Sequence, residues 1–333
     1  MTPILNTIMN NKTVNTPIWL MRQAGRYLPE FRKIREINQN FINLCLNENL
    51  SSEITLQPLQ RFKLDAAIIF SDILMLPYGL NQEVEFKKDF GPQLGPLNLN
   101  EISKVDEIDF IKKLYPIYKS IKKVSENNLI KNKDLIGFVG APWTLLVYMI
   151  NKNSPKKELV KDFFKDEFLI NRILIILEKF LKLHIDHQVK NGATIIQIFD
   201  SWAGLLEEKD LPNYIYIPTL NLVDYVKSLN IPVICFPRGI KNYKNYCDIV
   251  KPNVINIDYN IDPASICKNI NIPVQGGLDP KVLLTDTENL KKQTQKYLNI
   301  FKDHPYIFNL GHGVLPKTNP DMVDYLVKMV KDY

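Results

Sequence analysis

The sequence predicts an α/β fold, a single (β/α)8 barrel of the TIM type formed by residues 1–333. Three features predict it. Short apolar runs of strand length recur along the chain, amphipathic stretches of helical period separate them, and glycines fall at strand ends and loops rather than inside helices. The runs are continuously apolar, which points to strands buried on both faces, as in a parallel sheet covered by helices. Strands alternating with helices make an α/β fold. Eight such units in a chain of 333 residues suit a closed barrel better than an open doubly wound sheet.

The first expected strand is the short run 18–21 (IWLM). It is followed by 65–71 (DAAIIFS), 135–140 (LIGFVG), 194–200 (TIIQIFD), 232–237 (PVICFP), 253–258 (NVINID), 273–278 (PVQGGL) and 306–310 (YIFNL). Residues 162–189 read as a helix, with apolar Phe164, Phe168, Ile173, Leu174, Leu177 and Leu181 at helical spacing. Stretches 218–229, 286–301 and 320–331 read likewise. The GPQLGP stretch at 91–96 marks a turn between short segments, as in a hairpin. Residues 1–16, polar and rich in Asn, are expected to be a flexible N-terminal segment. Several glycines directly follow a strand, at the end of a barrel where enzymes hold their chemistry.

Composition narrows the function. A hydrophobic fraction of 45% and a charged fraction of 23% suit a folded globular chain and exclude a disordered one. The net charge is +6, but the lysines are scattered, as at 112–113, 122–123 and 131–133, which reads as solvated helix faces. No basic stripe interleaved with aromatics marks a nucleic-acid partner, whereas a positive surface favours an anionic small molecule. Cys45, Cys235, Cys247 and Cys267 form no CxxC pair, so a reduced, cytoplasmic chain is expected. The N-terminus lacks the apolar core of a signal peptide. The longest nearly uncharged apolar run, 137–150, is too short for a membrane span and contains Pro142.

Candidate site residues follow the strands. In 21–31 (MRQAGRYLPEF), Arg22 and Arg26 flank a small Ala-Gly step. A guanidinium offers a rigid fork of donors suited to carboxylates, although ion pairs tethering a loop would use the same residues. Asp72 ends an apolar strand, where it either binds something or caps a helix. Trp143 and Tyr148 follow the next strand as core residues, or with the Tyr148 hydroxyl at the cleft. Ser201 has no GxSxG elbow and reads as a binding hydroxyl. His312, between two glycines, reads as ligand-facing or as a turn-stabilising residue. His184 and His187 are three apart without an evident third ligand, which suits a solvated helix face better than a metal site. No phosphate-loop, dinucleotide or zinc-protease motif occurs.

Taken together, MRQAGRYLPEF at 21–31, FSDIL at 70–74, GAPWTL at 140–145, IFDSWAG at 198–204, QGGLDP at 275–280 and LGHG at 310–313 resemble the uroporphyrinogen decarboxylase family. The motifs occur in the family's order and span residues 19–316. The first is highly specific, and the others are strong as a set. The resemblance implies a barrel, commonly a homodimer, that removes CO2 from the four acetates of uroporphyrinogen III without a cofactor or metal. By motif position it makes Arg22 and Arg26 substrate-binding arginines and puts Asp72 under the centre of the macrocycle. Tyr148, Ser201 and His312 match cleft residues, and Gln23, Ala24, Phe31 and Phe199 match with weaker roles. Arg22 is a candidate proton donor by position, but a guanidinium is a poor acid. A zinc-dependent methyltransferase on a related barrel would need a His and Cys site, and Cys235, Cys247 and Cys267 have no His close in sequence. A non-catalytic tetrapyrrole-binding protein would not need the full set of Arg22, Arg26, Asp72, Tyr148 and His312.

Overall fold

The computed structural model describes residues 1–10, 15–87, 90–155, 158–160 and 162–333. Its centre is a seven-stranded parallel sheet of β1 (Ala66–Ile68), β4 (Asp134–Gly140), β5 (Ile195–Asp200), β6 (Val233–Pro237), β7 (Val254–Ile257), β8 (Val274–Gly276) and β9 (Tyr306–Ile307), in that spatial order. β2 (Val84–Lys87) and β3 (Gly91–Leu94) form a separate antiparallel hairpin. The expected turn at 91–96 is thus the second arm of that hairpin and the residues just after it.

The eighth stave is the short run at the start of the chain. The Phe308 amide donates to the Pro17 carbonyl at 2.8 Å, and the Trp19 amide to the Phe308 carbonyl at 3.3 Å. On its other side the Asp65 amide donates to the Ile18 carbonyl at 2.9 Å, and the Ile18 amide to Asp65 Oδ2 at 2.7 Å. Residues 17–19 therefore join both edges of the sheet and close the barrel. Gln23 reinforces the join: its Oε1 accepts from the Leu20 amide at 3.1 Å and its Nε2 donates to the Ala66 carbonyl at 3.0 Å.

The period of two along each strand separates two apolar compartments. Ile136, Ile195, Ile234, Val254 and Ile307 point into the barrel, while Leu135, Ile196, Val233, Cys235 and Ile255 pack against the outer helices. Both faces are dry, which is why the strands read as unbroken apolar runs. Above the inner aliphatic level lies a buried polar one. Gln275 accepts from Trp19 Nε1 at 2.8 Å and donates to Gln197 and Asn256 at 3.1 and 2.7 Å. Such a network fixes one arrangement, because any member left unpaired in that dry interior is destabilising.

Two expectations about helices change. The N-terminal segment expected to be flexible forms the helix Pro3–Asn10, and its Ile4 and Ile8 join the inner aliphatic cluster at the N-terminal end of the barrel. The i, i+4 spacing puts both isoleucines on one face, and Leu5 and Met9 repeat it one residue on, but the pattern is too short to read. The first part of that segment is thus a plug, and residues 11–14 lie outside the described residues. The helix expected from residue 162 begins at Glu167, where the Asp166 side chain accepts from the Leu169 amide at 2.8 Å. Phe164 precedes it, and Phe168 is 68% exposed instead of buried. Two glycines lie in helices among the described residues: Gly204 in the 3-10 turn Ala203–Leu205, and Gly79, ending Met75–Gly79, where a Cβ would lie 2.6 Å from Phe110.

Gln23 gives the test of this closure. Gln23→Ala strands a buried amide and a buried carbonyl, and is expected to lower stability by about 2–4 kcal/mol. Urea unfolding measures it, and a loss below about 1 kcal/mol means that Gln23 does not hold the seam.

Candidate active site

The C-terminal ends of the staves surround a cavity of about 1580 Å³. Phe138, Phe199, Phe236 and Ile68 line its barrel side. Phe199 meets Phe138 and Phe236 edge-on, with centroids 5.6 and 6.4 Å apart. A second group, Phe31, Phe41, Phe70 and Phe86, lines it as well, and Phe41 touches Phe86 of the hairpin at 4.5 Å. Arg22, Arg26, Arg32, Arg35, Lys87 and Arg238 also reach the cavity, against Glu36, Asp72 and Glu85. The cavity is therefore apolar in its walls and positive in balance, which suits a ring-shaped or aromatic molecule carrying several anionic groups.

Arg22 is held by its neighbours in an unfavourable backbone conformation. The Gln23 amide donates to the Leu20 carbonyl, and the Val314 amide to the Met21 carbonyl, both at 2.9 Å. Between these ties Arg22 adopts φ +59°, the left-handed region that disfavours a side chain with a Cβ. Gly313 makes room for its stem, since a Cβ there would sit 2.4 Å from Arg22 Cδ. Burial lowers the pKa of its guanidinium, with Asp72 and Tyr148 acting in the opposite sense. Neither Arg22 nor Arg26 forms an ion pair among the described residues. Arg32 and Arg35 differ, because each donates to two backbone carbonyls.

Asp72 follows β1. Its Oδ1 accepts from the Leu74 amide at 2.9 Å, so the local turn contact expected of a capping residue is real. Its Oδ2 takes no partner among the described residues. Burial raises the carboxyl to about 6, although the Leu74 amide and Arg22 pull it down. Tyr148 is half-buried and packs edge-on against Trp202 at 6.0 Å; burial, and then Asp72, raise its hydroxyl. His312 lines the same cavity, and burial together with Arg22 and Arg238 lowers it to about 4. At neutral pH it is an uncharged imidazole, able to donate or accept a hydrogen bond.

Of the ten residues singled out from sequence, the cavity gathers Arg22, Ala24, Arg26, Phe31, Asp72, Tyr148, Phe199, Ser201 and His312. Gln23 is the exception. It is fully buried beneath the loop, with both ends of its amide used by the barrel seam. Trp143 is core, donating to the Trp202 carbonyl at 2.9 Å. Thr144 donates to Asp200 at 2.6 Å and accepts from the Trp202 amide at 3.1 Å, which orders the loop that carries Ser201. His184 is buried, with Nδ1 3.0 Å from the Tyr118 hydroxyl, not on the solvated face expected of it. No three His, Cys, Asp or Glu side chains gather as metal ligands among the described residues. Sequence reading missed Arg238, the Phe138 and Phe236 walls and the part that the hairpin takes in the cavity. Arg238 directly follows an apolar strand, the same signal that picked out Asp72.

Known proteins agree with this geometry. The family model for uroporphyrinogen decarboxylase matches residues 1–333. The uroporphyrinogen decarboxylase of Rickettsia bellii is 40% identical over 324 residues, covering 95% of each chain. That of Rickettsia felis is 39% identical and covers 100% of this chain and 97% of the relative. Among solved structures, a methyltransferase from Methanosarcina mazei superposes with a TM-score of 0.79 at 15% identity, covering 100% of this chain and 99% of its own, which shows the shared barrel. With its motifs gathered around one cavity, its full-length profile match and relatives alike end to end, the chain belongs to the uroporphyrinogen decarboxylase family.

Proposed function

We propose that the chain removes CO2 from the four acetate side chains of uroporphyrinogen III, giving coproporphyrinogen III in tetrapyrrole synthesis, and that it does so without a cofactor. The observation that carries the reading is Asp72. It presents a carboxylate oxygen with no protein partner to an aromatic-walled cavity that also holds unpaired arginines. Four pyrrole N–H groups converging on that oxygen would satisfy it, and the arginines would take ring carboxylates.

The chemistry then needs little beyond an electrostatic field. A proton added to a pyrrole carbon makes the ring a cation. The bond from the acetate methylene to its carboxylate breaks, CO2 leaves, and the electron pair flows into the ring to give an exocyclic methylene. A second proton converts that methylene to a methyl group, and the ring proton departs. The net change per acetate is one proton taken up and one CO2 released. Asp72 strengthens its contacts as the N–H groups become positive, so it lowers the barrier more than it tightens binding. Arg22 remains charged and holds a carboxylate beside the reacting ring, leaving water or a substrate carboxyl to deliver the proton. Tyr148 and His312 stay neutral and orient side chains by hydrogen bonds.

In the same reading the enzyme works in the cytoplasm as a homodimer. No helix among the described residues is long and apolar enough to cross a membrane. Exposed apolar side chains such as Phe168 and Ile175 leave surface for a second copy.

Turnover of uroporphyrinogen III under anaerobic conditions tests the activity, with chromatography of the products. Activity should survive dialysis against a chelator. Loss that only added metal restores would rule out a cofactor-free reaction.

Asp72 separates catalysis from stability. In Asp72→Asn, kcat should fall by about 10²–10³-fold, with a much smaller change in product binding. The wild-type acid limb of kcat/KM should lie near pH 6, where Asp72 ionises, and should vanish in the variant. Stability should move the other way. The folded pKa is raised above 3.8, so the folded state holds its proton more tightly and this group's contribution is lost as pH rises through about 6. The Asn variant should therefore melt higher than wild type at pH 7.5 and equally at pH below 4. A folded variant with near-normal kcat would show that Asp72 only caps the turn.

Arg22→Lys and Arg26→Lys should each lower kcat/KM by roughly one to two decades, since an ammonium cannot reproduce the planar fork and a charge-assisted bond is worth about 1.5–3 kcal/mol. Wild-type kinetics in both variants would mean that neither fork touches substrate.

A further inference from the structure

The cavity holds a third arginine with no protein partner, from a different part of the barrel. Arg238 follows β6. Counting staves around the closed ring from residues 17–20 through β1, β4 and β5, β6 is the fifth of eight. It therefore stands across the barrel from the stave that leads to Arg22. Arg238 lines the cavity, yet it forms no ion pair and no side-chain hydrogen bond among the described residues.

Its backbone, by contrast, is fixed on every side. The Arg238 amide donates to the Asp200 carbonyl, and its own carbonyl accepts from the Gly204 amide, both at 3.0 Å. The next amide, Gly239, donates to the Asp258 carboxylate at 2.9 Å. Gly204 and Gly239 are in backbone contact, and a Cβ on Gly204 would lie 2.7 Å from the Gly239 carbonyl oxygen. Gly239 itself takes φ +83°, where glycine is the favoured residue. Two glycines and three hydrogen bonds thus hold at the cavity wall a cation that has no ion-pair partner among the described residues. Arg238 and Arg22 both act on His312 as positive charges, so the three groups share one region of the cavity.

We infer that Arg238 binds a substrate carboxylate from a loop separate from the one that carries Arg22 and Arg26, so that a polycarboxylated ring is held by two parts of the barrel rim and not by the Arg22 loop alone. This assignment rests on the proposed activity for its ligand, a ring bearing carboxylated side chains. The carboxylate is either one that the reaction removes or one that it retains, and the two differ in what the product keeps.

The test uses the full chain with Arg238→Gln and Arg238→Lys. The KM for uroporphyrinogen III and the Kd for coproporphyrinogen III are measured anaerobically, with circular dichroism as the check on folding. In Arg238→Gln the KM should rise roughly 10–100-fold, the value of one charge-assisted contact, with kcat changed much less. Arg238→Lys should fall between the two. Weaker coproporphyrinogen binding identifies a retained propionate as the contact. Unchanged coproporphyrinogen binding with a raised KM identifies an acetate.

A second readout follows His312 by NMR. Its pKa should rise in the Gln variant, which loses a neighbouring cation, and stay low in the Lys variant. A folded Gln variant with unchanged KM and Kd overturns the inference. If the Gln variant does not fold, an unchanged KM in the Lys variant overturns it equally. If the wild type does not turn over uroporphyrinogen at all, the activity is wrong, and loss of coproporphyrinogen binding in the variants still decides the role of Arg238.

Discussion

The site depends on the closure of the barrel by residues 17–19. That short segment bonds to Phe308 on one side and Asp65 on the other, and Arg22 follows three residues later. Asp65 is the knot of the seam. Its carboxylate accepts from the Ile18 amide and pairs with Lys331 of the C-terminal helix Pro320–Lys331, while its carbonyl accepts from the Asp134 amide at the start of β4. The beginning of the barrel, its end and its third stave meet at one residue. A slip of one residue in this seam would turn every inward side chain of the stave outward. The Trp19 contact to Gln275 and the loop that aims Arg22 would go with it.

Above that seam the molecule tolerates groups that folding alone would not choose. Arg22 sits at positive φ, Asp72 is ionised in an enclosed apolar setting, and Arg22, Arg26 and Arg238 face the same cavity without an ion pair among the described residues. Each of these is destabilising, and they tend to cluster at functional sites. Where the same chain places a cation for structure, it gives it partners. Arg32 and Arg35 hold backbone carbonyls, and Arg61 pairs with Glu30 at 3.0 Å. The contrast separates arginines left unpaired at the cavity from tethering ones more sharply than sequence spacing does.

Much of this was legible from sequence, for physical reasons. Strands buried on both faces announce themselves as apolar runs, and each expected run contains a strand or a stave of the barrel. Polar residues directly after such runs, Asp72, Ser201 and His312, fall at the cavity because every parallel strand delivers its C-terminal end to the same rim. What stayed hidden lacked a distinguishing pattern. Ile4 and Ile8 belong to an apolar pattern too short to read in an Asn-rich stretch, and only the open end of the barrel gives them something to plug. Phe138 and Phe236 look like core residues because they are continuous with one. Gln23 sits in the most specific motif of the chain and resembles a binding residue, yet its amide matches two backbone groups of the seam. Spacing cannot distinguish a side chain that holds substrate from one that holds the loop that does. His184, read as solvated, is buried because the helix face it occupies packs on Phe110 and Tyr118.

The distribution of protonation states gives the site its direction. His312 and Tyr148 are held neutral by burial and by their neighbours, while Asp72 keeps its charge above about pH 6. The charges present at neutral pH are therefore those that a polycarboxylated ring would match, with arginines toward the side chains and one carboxylate toward the centre. In the proposed reaction a ring that becomes cationic would be stabilised chiefly by that carboxylate. The reacting side chain changes this balance as it leaves. Loss of CO2 removes a negative charge from beside an arginine, so each product is held less tightly than the substrate before it. Arginines carried by separate loops would relieve this, since a ring that has lost one contact could turn and present another acetate to the same reacting position. In that reading one set of catalytic groups would serve four successive decarboxylations.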